Sequence, residues 1–106
     1  MYSTFEDFAQ LFQSTRLSPA PNITLWGGEA CPLGALARSL GVRDGQVDLF
    51  GLAHKGYVPS ESYVSGIVDG FDGSPTYGTS ENYLGGYRVG RACRYELAVE
   101  LDEIDN

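Results

Sequence analysis

Ser62-Tyr63-Val64-Ser65-Gly66-Ile67-Val68-Asp69-Gly70 and, 20 residues later, Asn82-Tyr83-Leu84-Gly85-Gly86-Tyr87-Arg88-Val89-Gly90 share one pattern: tyrosine, apolar, small, Gly, three residues, Gly. Glycines four apart lie on one helix face, where the missing side chains let another backbone come close. The pattern therefore predicts two helices packed glycine face to glycine face through Gly66, Gly70, Gly86 and Gly90. Each glycine weakens its helix by about 1 kcal/mol relative to alanine, so close interhelical dispersion contacts are required as an offset. Two copies are too few for a stacked solenoid. The same faces would also serve a homodimer, or leave room for a ligand or partner.

Working outward, Ser60 or Glu61 starts the first of these helices after Pro59, and Asp72-Gly73-Ser74-Pro75 ends it. Thr79 or Ser80 caps the second, in which Tyr83, Gly86, Gly90, Cys93, Leu97, Leu101 and Ile104 share one face over about six turns. Near the N-terminus, Ser3-Thr4-Phe5-Glu6 has the form of a capping box. Phe5, Phe8, Leu11, Phe12 and Thr15 then recur at helical spacing until about Arg16, before Ser18-Pro19-Ala20-Pro21 stops the helix. Pro32 announces a helix buried on one face by Leu33, Leu36, Ala37 and Leu40, with Gly41 closing it. Asp44 is expected to cap a further helix carrying Val47, Phe50, Leu52 and Ala53, stopped by Gly56. Ile23-Thr24-Leu25-Trp26 alternates like a strand but runs into Gly27-Gly28, and is read as an extended linker in preference to a strand. The fold expected is mainly α: one domain over residues 1–106, a compact bundle of about five short helices with a short extended segment near residues 22–26.

The 106 residues suit one hydrophobic core, and 42% hydrophobic with 20% charged residues is ordinary globular usage. The net charge of −7 comes from seven bases opposing fourteen acids. That disfavours direct binding to nucleic acid or an anionic membrane, each of which needs a dense positive footprint, and favours a basic protein surface as partner. No apolar run reaches the length of a membrane span, and Met1 to Asp7 lacks the pattern of a signal peptide, so a cytoplasmic location is expected. Cys31 and Cys93 are 62 residues apart in no paired spacing and are expected to be free buried thiols.

The acidic end is the strongest candidate for partner binding: Glu96, Glu100, Asp102, Glu103 and Asp105 fall in the last eleven residues with no base among them. Acids at a helix C-terminus oppose its dipole, and Glu96 and Glu100 repel, so this placement does not serve the helix itself. A row of carboxylates on a helix imitates spaced phosphates and suits a basic nucleic-acid groove. Tyr77, in the Gly-rich loop, is expected to be exposed and to anchor such a contact. Arg88, Arg91 and Arg94 form the one local basic cluster and are expected to pair with acids of this and neighbouring helices.

A cysteine-dependent enzyme would use Cys31 at a helix start, His54 as base and Asp48 or Asp69 as orienter, but no spacing supports their proximity. One histidine and two distant cysteines do not make a zinc set, Asp69-Gly70-Phe71-Asp72-Gly73 lacks the distal glutamate of a calcium loop, and no glycine run carries the lysine and hydroxyl of a phosphate loop. No cofactor is implied. Short, acidic, helical and without catalytic motifs, the chain is similar in profile to small phage or mobile-element inhibitors such as anti-CRISPR proteins. That resemblance implies a non-enzymatic inhibitor or regulator of a nucleic-acid-handling protein. The competing expectation is an assembly module that homodimerises through Gly66/Gly70 and Gly86/Gly90 together with the aromatic stripe of the first helix.

Overall fold

The computed structural model of the chain describes residues 1–97. Helix α1 (Phe5–Thr15) begins one residue later than the Ser3–Glu6 spacing suggests. Thr4 is the cap: its hydroxyl accepts the Asp7 N–H at 3.2 Å, and the Asp7 carboxylate accepts the N–H groups of Ser3 and Thr4 at 3.0 and 3.1 Å. The register follows from a tertiary demand, because the Ser3 carbonyl accepts the Tyr63 hydroxyl. Backbone donors, Ser3 foremost, hold the Asp7 carboxyl below the usual range.

The segment read as a linker is a strand. β1 (Ser18–Pro19), β2 (Leu25–Trp26) and β3 (Glu29–Ala30) form a small sheet in the order β1-β3-β2, with β1 parallel and β2 antiparallel to β3. Gly27 and Gly28 have φ of +61° and +83°, the two positive values that a type I′ hairpin turn requires, so they join two strands where the sequence reading had them end one extended stretch. Ser18 and Ala20 donate to the carbonyls of Gly28 and Ala30 at 2.9 and 3.0 Å. Pro19 falls between them, where the ladder needs no donor.

Helix α2 (Pro32–Ser39) is buried from Pro32 to Ala37 on every side, not on one face as its pattern suggested, because α1, the sheet and α4 enclose it. Helix α3 (Leu49–His54) is capped by Asp48, whose carboxylate accepts the Gly51 N–H at 3.0 Å. Asp44, the expected cap, instead receives the Arg38 guanidinium and, at 3.0 Å, the Gly27 N–H, which fastens the hairpin tip to the loop after α2. Ser60 caps α4 (Glu61–Asp72) through the Tyr63 N–H, with Gly73 at φ +78° closing it. Ser80 accepts the Tyr83 N–H at the start of α5 (Glu81–Leu97).

Among the described residues α4 and α5 make the most extensive contact, and they run parallel, since Gly66 and Gly70 meet successively later residues of α5. Gly86 lies against Tyr63 and Gly90 against Ile67, while Gly66 and Gly70 lie against Tyr83 to Tyr87 and Tyr87 to Arg91. A Cβ on any of the four would fall closer than 3.0 Å to the backbone of the other helix. In each case the nearest atom is a carbonyl oxygen: Tyr83 for Gly66, Tyr87 for Gly70, Tyr63 for Gly86 and Ile67 for Gly90. The α-hydrogen that replaces the side chain therefore points at a carbonyl, a reciprocal set of four Cα–H···O contacts at about 0.5–1 kcal/mol each. Together worth about 2–4 kcal/mol, they offset half or more of the roughly 4 kcal/mol that the four glycines lose in helix propensity.

A parallel pair needs a connection that returns along its length, and residues 73–80 supply it. The Tyr87 hydroxyl donates to the Ser74 carbonyl at 2.7 Å, and the Tyr77 N–H donates to the Tyr83 hydroxyl at 3.0 Å, so the loop is tied to α5 as it runs back. The core is one cluster centred on α2, with Phe8, Leu33, Leu36, Ile67, Phe71 and Cys93 fully buried.

Candidate interaction surface

Of the expected partner-binding residues the structure describes Tyr77 and Glu96, and these two lie apart. Tyr77 is 76% exposed, and its backbone is fixed by Tyr83, near the start of α5. Glu96 is exposed on the last described turn, about 20 Å further along the axis at 1.5 Å per residue. Glu100, Asp102 and Glu103 lie outside the described residues, as do Leu101 and Ile104 of the expected apolar face and Asp105. Gly66, Gly70, Gly86 and Gly90 are buried between α4 and α5 of the same chain. The homodimer face expected from them is thus already occupied, and Phe8, Leu11 and Phe12 of the aromatic stripe are likewise in the core.

The loop that carries Tyr77 is held by a small polar network. The Tyr83 hydroxyl donates to Asp69 at 2.5 Å while accepting from the Tyr77 N–H, and burial together with the Asp69 carboxylate raises its pKa above the ordinary tyrosine value. Asp69 is therefore a structural acceptor. Asp72 similarly accepts the Asn22 N–H at 2.9 Å and ties the hairpin segment to the end of α4.

The cysteine-dyad expectation fails on geometry. Cys31 precedes α2 and shares a small pocket with Val68 and Asp72 at the C-terminal end of α4. His54 pairs at 3.4 Å with Glu61 at the other end of that helix, roughly 16 Å away along its axis. Burial pushes the Cys31 thiol up to about 11 and Cys93 to about 12, the opposite of an activated nucleophile. Both are free and buried. Asp48 serves as the α3 cap.

Sequence reasoning missed the end of the molecule around residues 40–50. Trp26 at the hairpin tip is 65% exposed, and its ring edge lies over Gly45. Leu40 precedes the loop that Trp26 covers and Phe50 follows it; they are 41% and 45% exposed. Grooves of about 230 and 220 Å³ are lined by this loop, the first also by Ala37, Leu52 and Tyr57, the second by Thr24, Leu25 and Leu49. The hairpin tip is fastened here by the Gly27 N–H to Asp44 and the Gly45 N–H to the Leu25 carbonyl at 3.0 and 3.1 Å, and exposed large side chains on a tied backbone are of the kind that anchor protein contacts. The signal was present in Gly27-Gly28, which as a two-residue hairpin turn places Trp26 at a tip.

The basic cluster also differs from expectation. Among the described residues, Arg88, Arg91 and Arg94 make no pair with a carboxylate. Arg94 donates to the Phe71 carbonyl at 3.0 Å and covers Gly73, and the Arg91 guanidinium lies 5.5 Å over the Tyr95 ring. No helix among the described residues is long and apolar enough to cross a membrane, and among them no three metal-ligating side chains gather. No family model, curated protein or solved structure matches this chain.

Proposed function

We propose that this chain is a non-enzymatic binding protein, acting in the cytoplasm, that inhibits or regulates a larger nucleic-acid-handling protein by presenting carboxylates to a basic groove. The observation that carries the reading is the distribution of charge. Residues 1–97 hold ten acids and seven bases, whereas residues 98–106 hold four acids and no base, so more than half of the net −7 lies in those last nine residues. Glu96, exposed on α5, begins that run. The glycine-locked α4/α5 pair supports the reading, since it gives the acidic run a fixed base from which to meet a partner and steering would raise the encounter rate. Tyr77 and Trp26 add exposed aromatic anchors.

The test is capture of host-lysate proteins on the tagged chain at low and high salt, identified by mass spectrometry, with a variant carrying Glu96→Lys, Glu100→Lys, Asp102→Lys and Glu103→Lys alongside. The expected result is a basic nucleic-acid-binding protein retained at low salt, released at high salt and absent from the variant's eluate. Retention by the variant at the native level would remove the acidic end from the mechanism.

A further inference from the structure

Arg88, Arg91 and Tyr95 are all exposed, and at 100° per residue they fall within about 60° of one another on the outer face of α5. Gly86 and Gly90 press the opposite face of the helix against α4, so the backbone beneath the stripe is fixed. The Arg91 guanidinium lies 5.5 Å over the Tyr95 ring, a cation–π contact that orients the group and uses none of its N–H donors, which can still meet an oxyanion. Arg88 lies one turn before it, and among the described residues neither arginine meets a carboxylate.

We infer that this stripe binds an acidic segment of a partner protein, one with two carboxylates a helical turn apart. Side chains three or four positions apart on a helix have Cβ atoms about 5–6 Å apart, so Arg88 and Arg91 spring from the helix at the spacing of two carboxylates one turn apart on a partner helix, and each guanidinium can take one of them. The Tyr95 ring offers apolar area for the methylene groups between them, and arginine and tyrosine are the residue types that dominate protein contacts. A nucleic acid is the poorer occupant, because two cations neutralise only two of its many phosphates, whereas a segment with two carboxylates is matched one for one. The stripe, of opposite sign, ends at Tyr95, one residue before Glu96 begins the acidic run, and its test does not depend on the partner of that run.

The probe is an alanine-rich helical peptide bearing glutamates one turn apart, titrated into the full chain at low salt and followed by amide chemical shifts. Saturable shifts centred on residues 88–95 are expected, with affinity reduced about tenfold or more in the Arg88→Glu, Arg91→Glu variant and unchanged within about twofold in an Arg43→Glu, Lys55→Glu control of equal charge change. Tyr95→Ala should weaken binding severalfold with the helical circular dichroism unaltered, since the ring is 52% exposed. Equal losses in the two charge variants, equal binding of the peptide with glutamine in place of glutamate, or tighter binding of a single-stranded oligonucleotide than of the peptide would each overturn the proposal.

Discussion

Alanine substitution at neighbouring glycines of α5 separates close helix packing from helix propensity. Gly85→Ala and Gly86→Ala gain the same roughly 1 kcal/mol of intrinsic helix stability. At Gly85 the new methyl meets the edge of the Tyr63 ring at 3.3 Å, a side chain that moves by a few tenths of an ångström. At Gly86 it falls on the carbonyl oxygen, carbonyl carbon and Cα of Tyr63, backbone atoms that move only if α4 moves. Loss of one Cα–H···O contact costs about 0.5–1 kcal/mol, and overpacking against a rigid backbone falls near the upper end of about 1–3 kcal/mol. Gly86→Ala should therefore be net destabilising by about 2–3 kcal/mol, while Gly85→Ala should be neutral or stabilising by up to about 1 kcal/mol. For a domain of this size that lowers the melting temperature of Gly86→Ala by roughly 10–20 °C. Urea unfolding and thermal melts by circular dichroism measure both variants. If Gly86→Ala proves as stable as Gly85→Ala, the two helices do not approach as described and the parallel glycine interface is wrong.

The buried thiols should both resist iodoacetamide at pH 8 in the folded chain and react together in urea; selective labelling of native Cys31 would contradict its raised pKa. The same shifts set an alkaline limit. Folded values of about 11 and about 12 lie above the unfolded thiol, so their contribution to stability is complete below about pH 9 and declines as pH rises toward 12, visible as a falling urea midpoint. Tyr83→Phe removes the bond to Asp69 and the acceptor for the Tyr77 N–H, and should cost about 1–2 kcal/mol while accelerating chymotryptic cleavage at Tyr77; an unchanged cleavage rate would show that the loop is held by other contacts. Asp7 has a depressed pKa, so the advantage of the native chain over Asp7→Asn, about 1 kcal/mol, should be complete at neutral pH and shrink as pH falls below about 4.

The sequence by itself determined that the chain is mainly helical, that helices start near Thr4, Pro32, Ser60 and Ser80, and that glycines at 66, 70, 86 and 90 mark a close approach, because capping chemistry, proline and four-residue periodicity act over a few positions. Local signals set the helix start only to within a residue: the spacing pointed to a Ser3–Glu6 capping box, whereas Thr4 and Asp7 form it and the Ser3 carbonyl meets Tyr63, 60 residues away. Asp44 was the expected cap of α3, but Arg38 and the hairpin tip claim it, and Asp48 caps the helix instead. The same limit applied to the candidate surfaces. Exposure of Tyr77 was legible from its loop, whereas Trp26 stands out only because β2 pairs with β3, and Cys31 and His54 are separated only because they pack at opposite ends of α4. The parallel sense of α4 and α5 was likewise beyond the sequence pattern, since glycines four apart suit either direction. That sense was decided by which carbonyls the glycine α-hydrogens meet and by a loop able to return along α5, and both are properties of elements already packed together.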